Sequence, residues 1–214
     1  MKKALVIGGS GLIGTQLIKL LIADGGYTII ALVRKKLPFE NDKLKQIQFN
    51  FDDAKMSIPQ ADEVFCCLGT TIKVAGSKAQ FYKVDFEYVL TIAKAGFENG
   101  AKKMAMVSSM GANKNSAIFY NKTKGEIEAA VTKIGYQSLY IFRPSILLGK
   151  RTEFRLGEII GKAVMTFFSF AIPKKYKPIE ASTVAAAMIL KMNSDNIGFQ
   201  ILASDQIADL NKTT

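Results

Sequence analysis

Apolar positions follow two alternating patterns along this chain. Short apolar runs, typical of buried strands, lie at residues 3–7, 28–33, 46–51, 62–68, 103–108, 138–142 and 198–203. Between several of them, apolar residues recur every three or four positions, which predicts helices over residues 12–24, 78–98, 117–134 and 181–193. Alternation of strands and helices is typical of βαβ units, so the predicted fold class is α/β with a doubly wound parallel sheet.

A glycine cluster follows the first predicted strand and precedes the first predicted helix. Gly8, Gly11 and Gly14 fit the spacing G-x-x-G-x-x-G, while Gly9, Gly11 and Gly14 fit G-x-G-x-x-G. Both are variants of the Rossmann dinucleotide turn, and the glycines alone do not choose between them. In each, the pyrophosphate is expected at the helix N-terminus. The predicted phosphate-binding positions are Gly8, Ser10, Gly11, Leu12, Ile13 and Gly14.

The end of the second predicted strand bears on the choice of cofactor. A site that prefers NAD usually has Asp or Glu there, about 20 residues beyond the glycines, to bond the ribose 2′-hydroxyl. This chain has Arg34, followed by Lys35 and Lys36. A guanidinium suits a 2′-phosphate, so the sequence predicts NADP(H), with NAD(H) as the alternative if Arg34 is only a surface residue.

The 214 residues are predicted to form one Rossmann domain over residues 1–214, in which residues 145–180 are a small C-terminal substrate, lid or interaction region. Residues 156–172 are apolar and aromatic, and a basic stretch follows them. A buried helix, a lid, a membrane-surface element or a contact with a second copy or a protein partner would each explain that segment.

Several function classes are excluded or made less favourable by composition. The chain has no histidine, which excludes Ser-His-Asp and Cys-His catalysis, and no metal site is expected. The adjacent Cys66 and Cys67 are expected to be packing residues. Since Met1 leads directly into a short strand, with neither a secretory signal nor a membrane span, a cytoplasmic location is expected.

The net charge of +11 raises the question of acidic partners. The lysines form only short, scattered clusters without interleaved aromatic residues, which does not favour nucleic-acid binding. We interpret the charge mainly as a solvated surface that attracts an anionic cofactor or substrate.

Tyr120 and Lys124 are spaced to lie one helical turn apart on one face. A tyrosine hydroxyl ordinarily has a pKa of about 10, so acid–base work at neutral pH requires a nearby cation, which Lys124 would supply. The spacing alone also fits an ordinary amphipathic helix. Its context is more informative, because the pair follows a strand that ends in Ser108 and Ser109.

These motifs together resemble the short-chain dehydrogenase/reductase superfamily in its extended or atypical branch, and within it the Tat-interacting-protein-like reductases. The motifs are the glycine cluster, Ser108-Ser109, Tyr120-x-x-x-Lys124-Gly125 and Arg143-Pro144. The resemblance implies hydride transfer to a carbonyl-type small-molecule substrate, with Tyr120 as the general acid/base. It also implies that Ser109 holds the substrate oxygen and that Lys124 bonds the nicotinamide ribose.

The same resemblance implies further cofactor contacts. Asp52 would accept a hydrogen bond from the adenine amino group, although Asp53 fits equally well on sequence alone. Gly69 and Thr70 would line the ribose next to the nicotinamide, and Arg143 would pass beside the carboxamide, unless it only ends a strand.

Two departures from the family pattern leave the function open. Asp85 stands where many extended members have Asn, and the C-terminal part is too short for the usual nucleotide-sugar domain, which argues against an epimerase. A non-catalytic protein that binds NADP(H) for redox sensing or assembly is therefore the alternative to an enzyme.

Overall fold

The computed structural model describes residues 1–53, 57–149 and 173–212 of the chain. Within these ranges, parallel strands form a sheet in the order β3-β2-β1-β4-β5-β6-β9. Its strands are β1 (Lys2–Ile7), β2 (Tyr27–Val33), β3 (Leu44–Gln48), β4 (Glu63–Cys66), β5 (Lys103–Val107), β6 (Ser138–Arg143) and β9 (Gly198–Ala203). A second, two-stranded sheet pairs β7 (Leu147–Leu148) with β8 (Ile179–Glu180). This confirms the predicted doubly wound α/β class.

The connections between the strands are largely helical. The helices are α1 (Leu12–Asp24), α2 (Ile72–Ala75), α3 (Lys78–Tyr82), α4 (Val89–Glu98), α5 (Phe119–Thr132), α6 (Ala181–Asn193) and α7 (Ser204–Leu210), with a short 3₁₀ turn at Lys174–Tyr176. A π-helical segment, Lys83–Tyr88, joins α3 to α4, so residues 78–98 form one continuous helix, as the sequence predicts.

Both faces of the central strands β1, β4, β5 and β6 are largely buried, which explains the continuous apolar runs in these strands. In β1, Ala4 and Val6 belong to a core cluster shared with α1 and α6, whereas Leu5 and Ile7 belong to a second cluster shared with α4 and α5. Successive strand residues point to opposite faces, so the sheet is the middle of three layers.

Two predicted strands differ from the observed ones by more than one residue. The prediction of 46–51 placed β3 too late, because β3 is an edge strand whose exposed polar side chains hide its start. The prediction of 62–68 made β4 too long, because the strand ends at Cys66 and the backbone of Cys67 and Leu68 packs against Gly8 of the glycine turn.

Residues 156–172 lie outside the described residues. Among the helices of the described ranges, none is both long and apolar enough to cross a membrane.

Candidate functional site

The glycine turn after β1 is packed against two other pieces of backbone. Gly8 has a φ of +77°, and a Cβ there would lie 2.4 Å from the carbonyl carbon of Cys67. A Cβ on Gly14 would lie 2.2 Å from the carbonyl oxygen of Gly8. A Cβ on Gly9 would instead meet only the ends of the Ile18 and Leu37 side chains. The positions that require glycine are therefore 8 and 14, which selects the G-x-x-G-x-x-G variant.

Helix α1 begins directly after this turn, at Leu12, with Gly11 as its N-cap residue. The N–H of Gly11 donates to the carbonyl of Gly8 at 3.0 Å, and no side chain caps the helix. The unpaired N–H groups of the first turn and the positive end of the helix dipole therefore remain available to an anion. The turn lies where the strand order reverses between β1 and β4, the position at which open α/β sheets bind ligands. The residues present thus fit a dinucleotide pyrophosphate.

Arg34 directly follows β2 at the same edge of the sheet. Its side chain is exposed, and its carbonyl accepts a hydrogen bond from Gln48 Nε2 at 3.4 Å, which ties the ends of β2 and β3 together. An exposed guanidinium at this position is free of the core and can face an anionic group in solution.

Asp52 lies in the turn after β3 and already has two partners. Its Oδ1 accepts a hydrogen bond from the Tyr88 hydroxyl at 2.5 Å and lies 2.7 Å from Lys83 Nζ. The hydrogen bonds from Lys83 and then Tyr88 lower the pKa of Asp52, so this carboxylate is ionised at neutral pH. Phe51 stacks on the Tyr88 ring, with 5.2 Å between ring centroids. Asp53 is the next residue of this turn and is likewise exposed.

A buried ion pair lies at the centre of the candidate site. Lys124, in α5, places its Nζ 2.6 Å from Oδ1 of Asp85, in the π-helical segment, and both side chains are almost fully buried. Burial by itself would lower the pKa of Lys124, but the Asp85 carboxylate, with a smaller effect from Tyr120, outweighs it and raises that pKa. Lys124 is therefore a cation over the whole neutral range.

The loop after β4 contacts the same ion pair. The second carboxylate oxygen of Asp85 accepts the N–H of Thr70 at 2.9 Å. A Cβ on Gly69 would lie 3.3 Å from Asp85 Oδ1 and 3.4 Å from Lys124 Nζ. The predicted positions Gly69 and Thr70 thus lie directly beside Lys124.

Ser109 and Tyr120 lie at the two ends of the loop between β5 and α5. The Ser109 hydroxyl is buried and has no hydrogen-bond partner among the described residues. Tyr120 lies in the first turn of α5, half-buried, with its ring 5.3 Å from that of Phe81. The backbone of this loop packs directly on the backbone of α5 at Gly125. A Cβ at Gly125 would lie 2.1 Å from the backbone nitrogen of Lys114, so this close contact requires glycine.

Arg143, at the end of β6, is bound by Glu128, to which the sequence analysis gave no role in the site. Its guanidinium forms a two-pronged ion pair with the buried Glu128 of α5, in which Nε lies 2.9 Å from Oε1. Ser108 donates to the same carboxylate. Glu128 lies one turn beyond Lys124 on the buried face of α5, and that spacing is the signal that could have revealed it.

The comparisons with known proteins agree with this geometry. A family model described as NAD(P)H-binding matches residues 8–139, which include the glycine turn, Arg34 and the loop after β4. This chain belongs to that NAD(P)H-binding family. Within it, the chain is an atypical short-chain dehydrogenase/reductase, as its motifs predicted, and NAD(P) is its cofactor.

Two curated relatives extend the match over most of the chain. Protein HTATIP2 from Rattus norvegicus is 32% identical over 222 residues, covering 99% of this chain and 90% of the relative. Protein FMP52, mitochondrial, from Candida albicans is 35% identical over 195 residues, covering 86% of this chain and 85% of the relative. Among solved structures, MoeE5 in complex with UDP-glucose and NAD has a TM-score of 0.71 at 14% identity, covering 99% of this chain and 81% of MoeE5. That likeness shows the fold.

The expected cytoplasmic location is wrong in the light of these relatives. Several of them are named as mitochondrial proteins. The expectation rested on the lack of a secretory signal and of a membrane span near the first residue, and neither absence bears on import into an organelle.

Proposed function

We propose that this chain is an NAD(P)-dependent reductase that protonates a carbonyl-type substrate through Tyr120. The observation that carries the proposal is the buried Ser109 hydroxyl, which has no hydrogen-bond partner among the described residues. The fixed cation of Lys124, on which Tyr120 acts electrostatically, supports it. A buried polar atom without a partner is unusual in a folded protein, and a substrate oxygen would supply the missing hydrogen bond.

The proposal for the cofactor contacts is supported by the glycine turn, the position of Arg34 and the loop after β4. The N-terminus of α1 would hold the pyrophosphate, and Arg34 would hold a 2′-phosphate, which favours NADP(H) over NAD(H). Asp52 would accept from the adenine amino group, for which its second oxygen, Oδ2, is the better placed because Oδ1 is already bonded. Gly69 and Thr70 would adjoin the ribose next to the nicotinamide. When bound, the dinucleotide supplies the hydride.

The chain's own residues supply the proton and the orientation. Ser109 would hold the carbonyl oxygen by a hydrogen bond, and Tyr120 would donate its proton to that oxygen. Lys124 would hold the ribose hydroxyls with the ammonium protons that Asp85 leaves free. Glu128 occupies Nε and Nη2 of the Arg143 guanidinium. Arg143 would therefore approach the carboxamide with the part of the guanidinium that faces away from Glu128.

The test measures the oxidation of NADPH in the presence of a panel of aldehydes, ketones and quinones. The reaction is monitored by the decrease in the near-ultraviolet absorbance of NADPH. Tyr120→Phe removes only a hydroxyl, so turnover should fall by about 10²- to 10⁴-fold with little change in NADPH affinity. Tyr136→Phe is the matched control, because its hydroxyl donates to the Ala93 carbonyl at 2.6 Å, away from the site. It should change stability and leave turnover unchanged.

Two results would contradict the proposal. Turnover that survives Tyr120→Phe would remove the proton-donor role. Absence of turnover with the whole panel in the unaltered protein, with NADPH still bound, would instead favour the redox-sensing or assembly role.

A further inference from the structure

The last strand of the sheet, β9, forms an exposed apolar surface at one edge of the molecule. It pairs with β6 on one side, and no described strand pairs with its other side. Phe199 and Ile201 are 48% and 38% exposed, and Ile197, which directly precedes the strand, is 81% exposed. A contiguous group of exposed apolar side chains is typical of an interaction surface.

These side chains are exposed because the helices on this face of the sheet cover β6 but not β9. Leu139 and Ile141 of β6 are buried in the core cluster shared with α5. Their neighbours in the register of β9, Phe199 and Ile201, point to the same face but lie outside that cluster. On the opposite face, Leu202 belongs to the cluster shared with α6. Strand β9 is therefore covered on one face only.

The open edge of β9 presents the backbone groups of the same exposed residues. The N–H of Gly198 donates to the carbonyl oxygen of Gln137 at 2.9 Å, which directs the backbone groups of Gly198 toward β6. Along a strand, the N–H and C=O groups of successive residues point to alternate sides. The backbone groups of Ile197, Phe199 and Ile201 therefore point away from the sheet.

The two edges of the sheet differ in their protection against further pairing. Edge strands of soluble proteins usually carry charged residues, proline or a bulge, which prevent the addition of another strand. The opposite edge, β3, carries Lys45 and two glutamines. In β9 there is neither a charged residue nor a proline. The sequence of β9 thus permits another strand to pair with it.

We propose that β9 pairs antiparallel with β9 of a second copy of this chain, about a twofold axis beside Phe199. In this register Phe199 lies opposite Phe199 of the second copy, and Ile197 lies opposite Ile201. All three residues have outward-pointing backbone groups, so each opposed pair exchanges two hydrogen bonds. Their side chains meet on the uncovered face, and the two sheets become one continuous sheet with a self-complementary interface.

Two features of the strand select this register over its neighbours. An axis at Gln200 would turn toward the second copy the backbone groups that already bond β6. An axis at Ile201 would instead place Phe199 opposite Ala203. The N–H of Ala203 already donates to the side chain of Gln206 at 2.8 Å, so that pair would lack a hydrogen bond.

The charges near β9 favour a second copy over an acidic partner. The net charge of +11 makes two copies repel each other over most of their surface. On either side of β9, the nearest charged residues along the chain are acids, Asp195 and Asp205. Lys191 lies on the face covered by α6, where its Nζ donates to Gln200 at 2.9 Å. Repulsion between two copies is therefore weak at this edge, whereas the two acids would repel an acidic partner.

The experiment is sedimentation velocity of the full chain over a range of concentrations. Two short strands form a small interface, so we expect a dimer with a Kd on the order of 10 µM to 1 mM. Phe199→Lys removes the ring pair and places two ammonium groups opposite each other, so Kd should rise about tenfold or more. Val74→Lys is the matched control, because it adds the same charge at an exposed apolar position of α2 and should leave Kd nearly unchanged.

Two further variants test the register and the backbone pairing. Phe199→Glu alone should also weaken the dimer, but an equimolar mixture with Phe199→Lys should associate about threefold or more tightly than either variant alone. Only a register that places position 199 opposite itself brings these two charges together. Phe199→Pro adds no charge and removes an outward-pointing N–H, which leaves the pairing with β6 intact and should also weaken the dimer. Far-ultraviolet circular dichroism checks that each variant is folded.

Several results would overturn the proposal. A chain that remains monomeric up to about 1 mM does not pair through β9 with a second copy, and the edge would then suit an extended segment of another protein. A dimer that is unchanged by both Phe199→Lys and Phe199→Pro forms through another surface. A mixture that associates no better than its components excludes the axis at Phe199. None of these measurements involves nucleotide or turnover, so their failure leaves the proposed reductase unaffected.

Discussion

Gly8 and Gly11 are adjacent members of one motif, and the structure assigns them different tasks that substitution by alanine can separate. Gly8 has a φ of +77°, and a Cβ there would lie within 2.4–2.6 Å of three backbone atoms of Cys67 and Leu68. Gly11 has a φ of −75°, and its Cβ would lie 3.2 Å from the Gly8 carbonyl oxygen. Gly8→Ala should therefore damage the fold, whereas Gly11→Ala should be tolerated by it.

The magnitudes follow from these contacts. The left-handed conformation costs a residue with a Cβ about 1–2 kcal/mol, and forcing an atom into packed backbone costs about 1–3 kcal/mol more. Gly8→Ala should thus lower the free energy of unfolding by roughly 2–5 kcal/mol, or Tm by roughly 4–20 °C for a chain of this size. Gly11→Ala at the helix N-cap should cost less than about 1 kcal/mol.

Substitution of Gly11 should instead affect nucleotide binding more than stability. Gly11→Val places a branched side chain where the pyrophosphate approaches the backbone, so NADPH affinity should fall by at least about 100-fold, or ~2.7 kcal/mol, while the fold persists. Urea unfolding without nucleotide measures stability, and calorimetric titration measures affinity. Unaltered stability in Gly8→Ala, or an equal loss of stability in both alanine variants, would refute the division of tasks. Unchanged NADPH binding in Gly11→Val would refute the phosphate site.

Three further predictions follow from other contacts. Arg34→Ala should weaken NADPH binding by tenfold or more and leave NADH binding nearly unchanged, because only the 2′-phosphate loses a partner; calorimetry with both nucleotides checks this, and equal affinities before and after would contradict it. Lys124→Met should lower the free energy of unfolding by about 3–5 kcal/mol, because Asp85 becomes an uncompensated buried charge; a loss below 1 kcal/mol in urea titration would argue against the pair. Burial raises the pKa of Cys66 from 9.0 to about 12, so only the unfolded chain loses this proton between those values and stability should fall as pH rises across them. Cys66→Ala should make that fall shallower, and an unchanged slope would count against it.

The sequence predicted best the parts of the fold whose signal is local. Helix α1 begins and ends where expected because glycine turns flank a strongly apolar stretch, and α6 agrees equally well. The start of β3 was missed because its partner β2 covers only one edge, and its exposed positions carry Lys45 and Gln48, which resemble a loop. A strand whose stability comes from one neighbour leaves little pattern in its own residues.

Only the residues of the candidate site that belong to recognisable sequence motifs could be predicted. The glycine turn and the pair Tyr120 and Lys124 were selected from spacing, and the structure places Lys124 beside the loop after β4. The two buried acids were only partly predictable, since Asp85 stands where many extended members have Asn and Glu128 lies one helical turn beyond Lys124, but neither position reveals which cation the acid binds. These acids are buried only by contacts between segments that are distant in the sequence. Once buried, each carboxylate needs an ionic or hydrogen-bonding partner, because an unpaired buried charge is strongly unfavourable.

These buried acids bear on how the site is held in place. Lys124 ties α5 to the π-helical segment through Asp85, and Glu128 ties it to β6 through Arg143. A catalytic group is effective when its supporting contacts leave it few alternative positions, because a shift of about 1 Å can cost 10²-fold in rate. Tyr120 lies one turn before the first of these ties. Loosening the second, by Glu128→Gln, should therefore lower turnover although Glu128 touches no reactant, and NADPH affinity should change less than turnover. Full activity in that variant would show that the ion pair with Asp85 suffices to hold the helix.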